Sequence, residues 1–192
     1  LFHASAISDD GGTMYVYGGG DEGAFFGPFF GDLWALDLGS MEWTLLDDGS
    51  DSSAPAGRIW PDLWFQDGDV WMFGGHDDGS LGNTNEVWRY DLDGGGWELQ
   101  HGGDEQTAGA NGFCDFPADF VDPDLDAPER RNASVGVYTG DDVGFLVFGG
   151  KTDCGIINDA WSWSDGAWTE RSTATAGEIC LRAFAECSTM CF

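Results

Sequence analysis

Three stretches of the chain share one hydropathy pattern, in which an apolar run stops at two glycines. They are MYVYGG (Met14 to Gly19), VWMFGG (Val70 to Gly75) and FLVFGG (Phe145 to Gly150). A short apolar run bounded by turn residues predicts a buried strand. Another strand-like run and a turn precede each one: FHASAIS then DDGG, RIWPDLWF then QDGD, NASVGVY then TGDD. After each double glycine comes a loop, then a run with one Trp, then a second Trp. These are DLWALDLGSMEW, NEVWRYDLDGGGW and NDAWSWSDGAW, with the two Trp spaced by 9, 9 and 7 residues. Each unit therefore predicts four short strands with hairpin chemistry between them.

The repeated positions are Gly18, Gly19, Trp34, Asp37 and Trp43, then Gly74, Gly75, Trp88, Asp91 and Trp97, then Gly149, Gly150, Trp161 and Trp168. The third unit has Ser164 and Asp165 near the place of Asp37 and Asp91, and its last hairpin is two residues shorter. This pattern resembles the kelch repeat, in which a double glycine ends the second strand and one Trp sits in each of the third and fourth. The resemblance covers almost the whole chain. It implies an all-β, kelch-type β-propeller in which each repeat is a four-stranded blade. A second strand buried on both faces reads as a near-continuous apolar run. Glycine at its end gives positive φ and room for close backbone approach. Each Trp supplies ~150–250 Å² for packing between blades.

The period sets the expected boundaries. Blade one covers about 1–57, blade two 58–100, an insertion 101–130, blade three 131–172, and the opening strand of a fourth blade 178–192. Arg58 and Arg131 precede their double glycines by 16 and 18 residues, so an equivalent arginine in unit one falls at or before residue 2. Closed propellers have 4–8 blades. Three blades and part of a fourth are thus expected to belong to a larger ring, completed by a longer polypeptide or by another chain.

Charge narrows the partners. The 192 residues carry 35 acidic and 7 basic side chains, a formal net charge of −28. Such a surface repels nucleic acid and anionic lipid. It suits a basic partner, cations, or high salt. No apolar run reaches the length of a membrane span. The insertion carries Cys114, and the loop after the third double glycine carries Cys154, on the same predicted face, which makes them candidates for a disulfide. Cys180, Cys187 and Cys191 leave the count odd. Disulfide candidates and strong acidity lean towards an extracellular or lumenal setting. Asn132-Ala133-Ser134 is a glycosylation sequon near the start of a predicted inner strand, a place that argues against its use.

No nucleophile elbow, phosphate loop or His-Glu-x-x-His motif is present. Asp119, Asp122, Asp124 and Asp126 are candidate calcium ligands, without the spacing of an EF-hand. Four phenylalanines, Phe25, Phe26, Phe29 and Phe30, lie in a glycine-rich loop on the insertion's face and are candidates for partner contact. The reading that follows is a non-catalytic scaffold whose acidic and Phe-rich loops bind a protein in a larger assembly, with no cofactor. Two alternatives stay open: a carbohydrate-directed enzyme or lectin with its active residues in other blades, and an acidic calcium-binding surface or matrix protein.

Overall fold

A computed structural model of the chain describes residues 1–21, 23, 27–77, 82–102, 127–128, 130–140, 144–152 and 155–172. Among them there is no helix. The first sheet is an antiparallel meander of β1 (Ala4–Ile7), β2 (Thr13–Gly20), β3 (Phe29–Asp37) and β4 (Trp43–Asp47). β5 (Arg58–Ile59) stands apart from the next unit. The second sheet then orders β6 (Asp62–Gln66), β7 (Asp69–Phe73), β10 (Val87–Asp91) and β11 (Gly96–His101) in the same way. β8 (His76–Asp77) and β9 (Gly82–Asn83) join β5 in a small sheet. The third meander is β12 (Val135–Tyr138), β13 (Phe145–Thr152), β14 (Gly155–Ser164) and β15 (Ala167–Ser172).

Register makes the units superimposable. The two residues before each double glycine alternate between faces, as the period of a strand requires. Val16 pairs with Trp34, Met72 with Trp88 and Val147 with Trp161. The adjacent positions Tyr17 and Phe73 pair with Leu33 and Val87. One face of each sheet thus carries the third- and fourth-strand Trp, and the other carries the residue immediately before the glycines.

Two cores result. In one, Val70, Met72, Trp88 and Tyr90 of the second sheet pack on Tyr15, Tyr17 and Leu33 of the first. In the other, Phe145, Val147, Trp161, Trp163 and Trp168 of the third sheet pack on Trp64, Phe73 and Val87 of the second. The second sheet is therefore covered on both sides, which is why Val70 to Phe73 is apolar throughout. The innermost strand β6 has β1 on one side and β12 on the other.

The glycine pairs sit where backbones converge. A Cβ on Gly18 would lie 2.6 Å from the Arg58 carbonyl oxygen, and one on Gly74 2.8 Å from that of Arg131, in each case the unit that follows. The second glycine of each pair closes on its own unit's entry segment: Gly19 on Leu1 and His3, Gly75 on Ile59 and Pro61, Gly150 on Asn132 and Ser134. All six have φ between +62° and +116°. Any other residue would meet both a strained backbone and a carbonyl oxygen.

The entry segments differ from the expected straight strands. RIWPDLWF is broken at Trp60, whose φ is +52°, so Arg58–Ile59 pairs with β8 and the long strand starts only at Asp62. Phe2 and Ala133 hold the same left-handed place, with φ of +65° and +49°. A chain of backbone bonds connects the three: Ala133 N–H donates to the Trp60 carbonyl (3.3 Å), and Trp60 N–H to that of Phe2 (2.9 Å). These bonds run from unit to unit across the inner strands. The hairpins of the first two units close alike, with Asp37 Oδ1 accepting from Gly39 and Ser40 N–H and Asp91 Oδ1 from Asp93 and Gly94 N–H. The third unit's shorter hairpin instead turns on Asp165-Gly166, with φ of +53° and +76°, the two-residue turn that suits strand twist.

Candidate interaction face and the arginine clasps behind it

At the double-glycine end of the sheets lie two arginines that are almost fully buried. Arg131 Nη1 donates to the Gly149 carbonyl at 3.0 Å, and its two terminal nitrogens bond the two carboxylate oxygens of Asp159 at 2.5 and 2.8 Å. Arg58 repeats the arrangement: Nη1 to the Gly74 carbonyl at 3.1 Å, Nη2 to Glu86 Oε2 at 2.8 Å, and Nη1 also to Thr84 Oγ1. In both units the carboxylate also accepts the indole N–H two residues on, from Trp88 at 2.8 Å and from Trp161 at 2.7 Å. One guanidinium thereby ties together the end of the second strand, the start of the third and the third-strand Trp. A planar fork donor that stays ionised is suited to such a place.

In the first unit the same acid is in place: Asp32 Oδ2 accepts the Trp34 N–H at 2.6 Å. An acid stands two places before each third-strand Trp, a signal carried by the sequence itself. Asp-x-Trp, Glu-x-Trp and Asp-x-Trp were visible, and so was the common spacing of 28 residues from Arg58 to Glu86 and from Arg131 to Asp159.

The tryptophans divide by strand. Trp88 and Trp161 are buried and bonded through their indole N–H. Trp97 and Trp168 pack edge-on against the residue before a double glycine, Trp97 on Tyr17 at 5.4 Å and Trp168 on Phe73 at 4.9 Å. Their indole nitrogens are buried without a hydrogen-bond partner among the described residues. Trp34 is half-buried and Trp43 is 51% exposed, since no described sheet covers that face. Packing between units is thus carried by the second and third units' tryptophans and not equally by all six.

At the surface, Phe30 is 47% exposed, whereas Phe29 meets the His76 ring edge-on at 5.8 Å. His76 lies in β8 and is a packing partner here. Phe25 and Phe26 lie outside the described residues, as do Cys114, Cys154, the four aspartates 119, 122, 124 and 126, the three C-terminal cysteines and the segment 178–192. Among the described residues no three His, Cys, Asp or Glu side chains gather as a metal site, and no helix is long and apolar enough to cross a membrane. Asn132 is buried, with its amide donating to Asn83 Oδ1 at 2.5 Å, so the sequon is inaccessible in the folded sheet.

One further carboxylate is perturbed. Asp62 opens β6 against β12, where it accepts from the Ser134 hydroxyl and from Gly136 N–H. Desolvation by the neighbouring strand raises its pKa above the ordinary aspartate value, against the lowering by these donors and by Arg131. It sits between the inner strands β6 and β12. Comparison of the sequence with protein-family models and with curated proteins returns no match.

Proposed function

We propose that the chain is a kelch-type propeller scaffold without catalysis of its own, whose double-glycine end receives a basic, apolar-tipped segment of another protein. The kelch reading is supported by three antiparallel meanders that hold the double glycine, the third-strand Trp and the fourth-strand Trp at matching positions. The observation that carries the functional reading is Phe30, 47% exposed at this end of a chain with net charge −28. An exposed aromatic within a negative field offers contact area and long-range attraction together. The buried arginines are paired with their own carboxylates, so they hold the strand ends and leave the surface field negative.

The test is binding of fluorescent peptides rich in Lys and Arg with one Leu or Trp, measured by anisotropy at several salt concentrations. Binding that weakens with salt and is lost in Phe30→Ser supports the reading. No peptide binding, with saturable binding of oligosaccharides on a glycan array, would replace it with the carbohydrate-directed alternative.

A further inference from the structure

At the end of the sheets away from the double glycines, the first two units leave a cleft between them. Its volume is about 340 Å³, and it lies between the β1–β2 turn of the first sheet and the β6–β7 and β10–β11 turns of the second. The floor is apolar. Tyr15 and Phe65 stack across the two sheets with ring centroids 5.7 Å apart and planes 8° from parallel, and Leu92 completes the lining there. The rim is polar and anionic: Ser8, Asp9 and Asp10 line it, and no described lining residue is basic. Asp10 is fixed by two bonds to the same oxygen. Its Oδ1 accepts from the Ser8 hydroxyl at 2.6 Å and from Gly12 N–H at 2.9 Å, and neither bond engages Oδ2. The Ser8 hydroxyl, and after it the Gly12 amide, hold the Asp10 carboxyl below the ordinary aspartate pKa, so the rim stays charged. Tyr15 titrates above the ordinary phenol value, first through desolvation and then through the charge of Asp10, which sets that charge beside the aromatic floor.

We propose that this cleft binds one alkylammonium or alkylguanidinium group, of the kind a lysine or arginine side chain carries, with its stem on Phe65 and Leu92 and its charged head on Asp10 Oδ2. Each half of such a ligand answers one half of the cleft. An alkyl stem covers apolar surface while its charged tip stays at a wet rim. A carboxylate oxygen accepting from a cationic N–H makes a stronger hydrogen bond than a neutral pair does. A metal ion fits less well. Hard cations want several oxygens, and among the described residues no three His, Cys, Asp or Glu side chains gather. A neutral sugar could use the rings but would gain nothing from a net charge of −28, which concentrates cations at the surface. The volume falls within the range of small-ligand pockets, roughly 300–1,000 Å³. The site lies at the opposite end from Phe30 and stands independently of the function proposed there.

The test is an NMR titration of the 192-residue chain, read at the ring signals of Tyr15 and Phe65. The probes are N-acetyl-arginine methylamide, N-acetyl-lysine methylamide and the neutral N-acetyl-citrulline methylamide. Both cations should move the two rings saturably, and citrulline should bind about tenfold more weakly or not at all. Asp10→Asn keeps an oxygen for Ser8 and Gly12, so the turn is preserved, and it should weaken both cations about tenfold. Leu92→Ser should weaken them through the stem. A fourth probe, n-butylammonium, separates the sources. Binding equal to that of capped lysine assigns the site to free amines, and weaker binding assigns it to a side chain of another protein. No saturable shift with either cation, a citrulline response equal to that of arginine, or cation binding unchanged in Asp10→Asn would overturn the proposal. Rings that move with neutral monosaccharides and not with the cations would overturn it in favour of a saccharide cleft.

Discussion

Arg58 and Arg131 hold the same place in successive units, yet their carboxylates are not equally sheltered. Asp159 is 5% exposed and takes Arg131 through both oxygens, whereas Glu86 is 19% exposed and meets Arg58 through one. The same clasp therefore exists at two grades, and its strength follows how completely the acid is withdrawn from water. A buried charge is costly when its partner is lost, while one that reaches solvent can rehydrate.

The largest effect expected from this difference is in Arg131→Met, which strands Asp159 and should cost about 3–5 kcal/mol in urea unfolding. Arg58→Met should cost clearly less. Equal losses would contradict the grading. Next comes the glycine that the arginine carbonyl approaches. Gly74→Ala should cost more than about 1 kcal/mol, because it adds a backbone clash to a left-handed φ. Gly68→Ala, with φ of +87° but nothing within 4 Å, isolates the conformational part and should cost less. A third comparison sets the two tryptophans of one sheet against each other. Trp88→Phe loses a bond to a carboxylate, worth about 1.5–3 kcal/mol, beyond its lost area. Trp97→Phe loses no hydrogen bond to a described residue and should cost less.

The smallest effects are in pH. Asp37 and Asp91 have pKa values lowered chiefly by backbone donors, from Ser40 and from Gly94 respectively. Their contribution is present above the ordinary aspartate value and is lost as pH falls through the lowered folded one. Asp62 runs the other way. Its folded pKa is raised, so the folded state binds the extra proton and stability falls as pH rises from the unfolded value through the folded one. Asp62→Asn should remove that segment of the melting-temperature profile, and Asp37→Ala should flatten the acid limb. An unchanged profile in either variant contradicts the corresponding assignment.

What could be read in advance was what depends on residue type. The apolar runs, the double glycines and the Trp pairs each reflect a burial or a φ that few residues tolerate, so they recur as letters. The left-handed entry residues do not, because Phe2, Trp60 and Ala133 are none of the residue types that favour positive φ. Their conformation is imposed by inter-strand bonding of backbone groups, which any residue carries. The straight strand read into RIWPDLWF failed for that reason. The carboxylate of the clasp was legible but alternates between Asp and Glu, and it hides among 35 acidic residues. Even burial of the tryptophans depended on neighbours as well as identity, as Trp43 and Trp168 show from equivalent places.

The three units share one hydrogen bond, from the third-strand indole to the carboxylate two residues before it. Hydrogen exchange of the indole N–H groups, followed by nitrogen-resolved NMR, addresses it directly. Trp88 and Trp161 should exchange slowest and Trp34 more slowly than Trp43, with the first three shifted downfield by their carboxylates. Exchange of Trp161 as fast as that of Trp43, or three indole signals without a common shift, would contradict it.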